Sequence, residues 1–250
     1  MTRMQQADPN LLLIVIFGAI ALIVVIVAVR LSRRQAAART EALRRQSLLM
    51  GYSFAGKAVK ANESDSSLID PLLAAALQNL RMLRKGSSRK IGNLLAKSDD
   101  RGEAHWIFDY SYATGAGNSR HTVRQTVMGS YFPDYELPRF TLGPEGLIAR
   151  LFDGADIDFD QDPEFSKRYL LKGDDVQPVK RLFSPYVRSM LMEKKNWVIE
   201  STGHYVFGCR QGHLVDPEEL LQAQGEFRRL VDALNAESDR ASRNEFRGLV

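Results

Sequence analysis

The chain has one cysteine, Cys209, in 250 residues, so no intramolecular disulfide can form. That excludes a disulfide-stapled secreted fold and fits a reducing compartment. Its four histidines, His105, His121, His204 and His213, never fall at H-E-x-x-H or another paired-ligand spacing, which argues against zinc. There is no G-x-S-x-G elbow for a nucleophilic serine. Gly115 and Gly117 do not complete a dinucleotide-binding G-x-G-x-x-G, because Arg120 holds the last glycine place, and a hairpin turn accounts for both. Internal repeats and low-complexity tracts are also missing. No catalytic residue, metal ligand or cofactor is therefore expected. A binding, scaffold or membrane-surface module is the first reading, and the alternative is an enzyme whose active-site residues converge only in the fold.

The longest apolar run is Leu11–Val29, LLLIVIFGAIALIVVIVAV, which contains no polar or charged side chain. At about 1.5 Å per residue it would cover roughly 28 Å, close to a hydrocarbon core of about 30 Å. Only Arg3 precedes the run, whereas Arg30, Arg33, Arg34, Arg39, Arg44 and Arg45 follow it. Basic residues stay on the cytoplasmic side, so the pattern predicts a single-pass inner-membrane protein with its N-terminus outside and its C-terminal domain in the cytoplasm. The expected organisation is a short segment 1–10, a transmembrane helix 11–29, a basic juxtamembrane helix 30–50, a globular domain 51–236 and a polar, frayed tail 237–250.

Within the domain the periods point to α+β: a mainly antiparallel sheet, several short helices and an amphipathic C-terminal helix. Asp70-Pro71 opens a helix with the stripe Leu72, Leu73, Ala76, Leu77, Leu80 and Leu83, which Gly86 ends. Ile91, Leu94 and Leu95 form only a short segment. Trp106, Phe108, Tyr110 and Tyr112 alternate onto one strand face, and the turn 114–119 makes a hairpin with Thr122–Phe132. That turn would set His105 near Met128 and His121 near Tyr112. Trp197–Ser201 and His204–Arg210 form a second hairpin, and Asp216-Pro217 starts the last helix.

Charge is unevenly spread. Between Arg30 and Arg101 there are 15 Lys/Arg against 6 Asp/Glu, and between Glu145 and Asp175 there are 4 against 9. In the acidic stretch Asp156, Asp158 and Asp160 have calcium-loop spacing, but Gln161 and Lys167 stand where such a loop needs Gly and Glu. A solvated strand face, with Ile157 and Phe159 turned inward, is the better account. The basic half offers Arg33, Arg34, Arg44, Arg45, Arg81, Arg84, Arg89 and Lys90 as contacts to an anionic surface. The partner classes that fit are the lipid bilayer, anionic lipid headgroups and a protein. Nucleic acid fits poorly, because no aromatics interleave with the basic runs.

Phe108-Asp109-Tyr110-Ser111-Tyr112, the glycine turn, Gln125-Thr126-Val127, Arg139-Phe140-Thr141-Leu142, Asp156-Ile157-Asp158-Phe159, Pro163-Glu164-Phe165-Ser166 and Tyr169-Leu170-Leu171 occur in that order. Together they resemble a family of bacterial single-pass membrane-anchored proteins of unknown function. The resemblance, over roughly 51–234, implies one intact domain behind an anchor and supplies no activity and no site residue.

Overall fold

The computed structural model describes residues 9–56, 59–60, 70–148, 154–193 and 196–247. It divides into two compact units, residues 1–43 and 44–250. The first consists of most of helix α1 (Pro9–Met50). Among the described residues no helix is long and apolar enough to cross a membrane. This overturns the transmembrane helix expected at Leu11–Val29. The single-pass inner-membrane location and the N-out, C-in orientation rested on that helix and fall with it. The apolar side chains that are described run from Phe17 to Val29, and Arg30, Arg33 and Arg34 follow directly. The side chains of 11–16 lie outside the described residues.

The second unit is built on one antiparallel sheet of ten strands. The strands are β1 (Ser53–Ala55), β2 (Val59–Lys60), β3 (Ser87–Ser98), β4 (Ala104–Thr114), β5 (His121–Tyr131), β6 (Phe140–Gly143), β7 (Ala155–Asp156), β8 (Leu170–Gly173), β9 (Trp197–Ser201) and β10 (Tyr205–Arg210). Their order is β1-β3-β4-β5-β10-β9-β6-β8-β7, with β2 also on β3. The helices are the end of α1, α2 (Pro71–Asn79), α3 (Glu145–Ile148), α4 (Pro163–Arg168), α5 (Val176–Leu182), α6 (Pro185–Glu193) and α7 (Leu220–Arg247). The architecture is α+β.

Alternation decides which side of the sheet each residue serves. On one face Trp106, Phe108, Tyr110, Val127, Phe207 and Cys209 pack under α2 and the chain that follows it, where Leu73, Ala76, Leu80, Met82 and Leu83 are buried. On the other, Phe227 of α7 lies over Gly208 and stacks on Trp197, with ring centroids 6.4 Å apart. Leu220, Leu230, Val231 and Leu234 complete the apolar stripe of α7.

Several local expectations change. The helix from Asp70 stops at Asn79, and Leu80 to Gly86 form a loop instead. The segment around Ile91 is a twelve-residue strand, not a short piece. Its periodicity is hidden by irregular register between Ser87 and Lys90 and between Gly92 and Leu95. His105 faces Ser130 and His121 faces Thr114, because the β4–β5 connection spans 115–120, one residue further along the chain than 114–119. α7 continues to Arg247, past the expected end of order at residue 236. Asp216 gives it no side-chain cap, and a short 3-10 turn over Pro217–Glu219 leads in.

Candidate anion-binding site

Beyond the end of α2, the loop Leu80–Gly86 is pinned at four points. Leu80, Met82 and Leu83 are buried in the core. The Tyr110 hydroxyl donates to the Leu83 carbonyl. Gly86 sits at φ +71 in front of β4, where an added Cβ would lie 2.3 Å from the Ala113 carbonyl oxygen. Only glycine meets both demands. The fourth anchor is Glu200 on β9. Its Oε1 accepts from the Arg81 backbone N–H at 2.9 Å and its Oε2 from the Met82 N–H at 2.8 Å. With 82 and 83 turned inward, Arg81 and Arg84 are left on the exposed side of the loop.

The sheet brings up the rest. Thr141 on β6 is paired with Glu200 on one side and with Lys172 of β8 on the other, and Asp156 of β7 is paired with Lys172. Cross-strand partners share a face, so Glu200, Thr141, Lys172 and Asp156 form one polar row across four strands. Arg139 and Thr202, two residues along from Thr141 and Glu200, extend it. Loop and row enclose an open cavity of about 230 Å³, lined chiefly by Arg81, Arg84, Arg139, Lys172, Asp174 and Glu200. Lys172 Nζ lies 3.1 Å from Asp156 Oδ1. The Arg84 guanidinium donates to the Gln78 carbonyl. Thr202 also lines the cavity, and its buried hydroxyl oxygen has no hydrogen-bond partner.

Glu200 is 3% exposed. Burial raises its carboxyl from an ordinary 4.5 to about 6, against the two backbone N–H donors and Arg81 and Arg84, which favour the charged form. In the window from 4.5 to 6 the unfolded chain ionises first, so this group's contribution to stability is full below 4.5 and lost as pH rises through 6. The difference is about 2 kcal/mol at about 1.4 kcal/mol per pH unit. In Glu200→Gln, urea unfolding should lack this loss between pH 4.5 and 7 while retaining the other pH dependences. Identical pH slopes in the two proteins would mean that Glu200 is not buried as a charge.

Of the residues expected to meet an anionic surface, the structure gathers two, Arg81 and Arg84, at one cavity. Arg33 and Arg34 belong to the first unit. Arg44 and Arg45 are exposed near the end of α1, Arg89 donates to the Leu83 carbonyl at 3.4 Å, and Lys90 is exposed on β3. Arg139, Lys172 and Glu200 were not singled out from the sequence. The signal available was a carboxylate inside the otherwise buried strand Trp197–Ser201. Among the described residues no cluster of His, Cys, Asp and Glu could hold a metal ion. In the acidic stretch Asp156 instead pairs with Lys172 and Asp162 with Arg188, and β7 covers only Ala155–Asp156, short of the strand expected through Phe159.

No family model matches the chain, and no curated protein matches it. Among solved structures, the crystal structure of the mycobacterial trehalose monomycolate transport factor A, TtfA, is similar at 10% sequence identity with a TM-score of 0.47, covering 78% of this chain and 95% of that one. A likeness at that level says nothing about ligands or activity.

Proposed function

We propose that the domain is a binding module for a compact anion, seated in the cavity between the Leu80–Gly86 loop and the polar row of the sheet. The observation that carries this reading is the convergence of Arg81, Arg84, Arg139 and Lys172 on one small polar cavity from three separate parts of the chain. Like charges brought together repel, and an arrangement of this kind is stabilised by an anion that accepts from several of them. Guanidinium forks suit carboxylate and phosphate oxygens. An enzyme is the weaker reading. Glu200 has the shifted acidity found in acid–base catalysts, but both its oxygens are committed to backbone donors, which makes it a positioning residue for the loop.

Calorimetric titration of the full chain with inorganic phosphate at low ionic strength tests this. Saturable heat is expected, weakening as salt rises because the Debye length falls from about 10 Å at 0.1 M to about 3 Å at 1 M. Arg84→Gln and Arg139→Gln should each reduce the affinity, and both positions are exposed enough to leave the fold intact. Absence of saturable heat with phosphate, sulfate and acetate alike would overturn the reading.

A further inference from the structure

We infer that this cavity selects a phosphate monoester dianion over singly charged anions such as phosphodiesters and carboxylates. The inference rests on the anion-module reading above and sharpens it. Three arginines line the cavity, Arg81 and Arg84 from the loop and Arg139 from the chain entering β6, with Lys172 beside them. A monoester presents three oxygens free of carbon to these cations, while a diester presents two and a carboxylate two.

Charge agrees with geometry. Four cations line the cavity against Glu200 and Asp174, and Glu200 already spends both oxygens on the loop backbone. Asp156 offsets part of Lys172 from just outside. A positive surplus therefore faces the ligand, and a second negative charge on the ligand adds to the attraction at low dielectric. Size and polarity restrict what may be attached. At about 230 Å³ the cavity holds little more than a headgroup, and among its lining side chains only Phe140 offers apolar surface. A phosphorylated small molecule or the exposed phosphate of a lipid headgroup meets these terms, but a buried acyl chain does not.

Proton linkage supplies a further signature. The second ionisation of a phosphate monoester lies near pH 6, so raising the pH creates the dianion. Glu200, held above its usual range by burial, gains its negative charge over the same interval and opposes binding. Arg81 and Arg84 act on Glu200 as cations, and Arg139, Lys172 and Asp174 line the same cavity.

The test is calorimetry on the full chain at pH 7.5 with methyl phosphate, dimethyl phosphate and acetate in parallel. Methyl phosphate should bind about tenfold or more tightly than either monoanion, the scale of one extra charge contact. That ratio should fall towards one in Arg139→Gln and in Arg84→Gln. Equal binding of methyl and dimethyl phosphate would overturn the monoester assignment and leave the anion module standing. Binding of none of the three would overturn both. Glycerol 3-phosphate and its dihexanoyl ester separate the two sources of the same chemistry. Equal affinities would assign a soluble phosphate monoester, and a marked gain for the acylated compound would assign a lipid headgroup.

Discussion

Replacing Trp106 with alanine is expected to cost about 3–5 kcal/mol, the range for truncating a large buried aromatic side chain. Trp106 is 1% exposed at the centre of β4. It stacks on Phe207 with centroids 5.8 Å apart and planes 6° from parallel, and on Tyr205 at 6.5 Å. The Phe207 contact is unusual because the two residues sit on strands separated by a third. Trp106 and Phe207 are both register partners of Gly129 on β5, and the missing side chain there lets the rings meet above the backbone. A Cβ at Gly129 would lie 2.1 Å from the Phe207 ring. Gly129→Ala is thus expected to destabilise by separating the same pair. Trp106 has a second role at its other end. Its indole N–H donates at 2.6 Å to Asp70 Oδ2, while Asp70 Oδ1 accepts from the Leu73 N–H and caps α2. Trp106→Phe keeps the stack and loses this link, at about 1 kcal/mol. Denaturant midpoints followed by far-ultraviolet circular dichroism distinguish these cases. A Trp106→Ala loss no greater than that of Trp106→Phe would refute the stacking account.

The second large effect is expected at Arg188. Its side chain is buried on α6, and its Nε donates to Asp162 Oδ2 at 2.7 Å and its Nη1 to the Phe183 carbonyl at 2.6 Å. The guanidinium carbon stands 4.4 Å from the Phe159 ring centroid. Arg188→Met keeps length and apolar packing but strands the carboxylate and the carbonyl. Breaking such a pair costs about 3–5 kcal/mol when fully buried, and Asp162 is partly exposed, so about 3 kcal/mol is expected. Lysine should rescue poorly, because a single ammonium cannot serve both acceptors in the plane of the fork. A pH signature accompanies the loss. The hydrogen bond from Arg188 holds the Asp162 carboxyl below its ordinary range. The corresponding stability is present at neutral pH and is lost as pH falls through that depressed value. Urea titrations from pH 7 down to 3 should show a smaller acid-side loss in Arg188→Met than in the unaltered chain. An equal loss would mean that the pair does not hold the carboxyl down.

Arg188 also shows where sequence reading runs out. The acids between Asp153 and Glu164 have a spacing that suggests a shared role. In the fold they separate: Asp156 joins Lys172 beside the polar cavity, and Asp162 caps α4 and holds Arg188. Periodicity does reveal the aromatic face of β4, both hairpins and the stripe of α7, because each is a local repeat. It misses β3, whose bulged register breaks the two-residue period. The cation cavity was half visible. Arg81 and Arg84 stand out as a basic run, but Arg139 and Lys172 join them only through the pairing of β6 with β8, and Glu200 meets the loop across 118 residues of chain. Strand pairing at that separation leaves no mark in a single sequence.

The margins of the sheet bear on aggregation. A strand with open N–H and C=O groups is a template on which another chain can grow a fibril. The long strands β4 and β5 have neighbours on both sides. The outer side of β3 is occupied by β1 at Leu94–Ala96 and by β2 at Lys90–Ile91. The opposite margin is β7, a two-residue strand carrying Asp156. Among the described residues each border of the sheet thus ends in strands of two or three residues, and Asp156 puts a charge on β7. The ten-strand sheet can therefore be large without offering a long open edge.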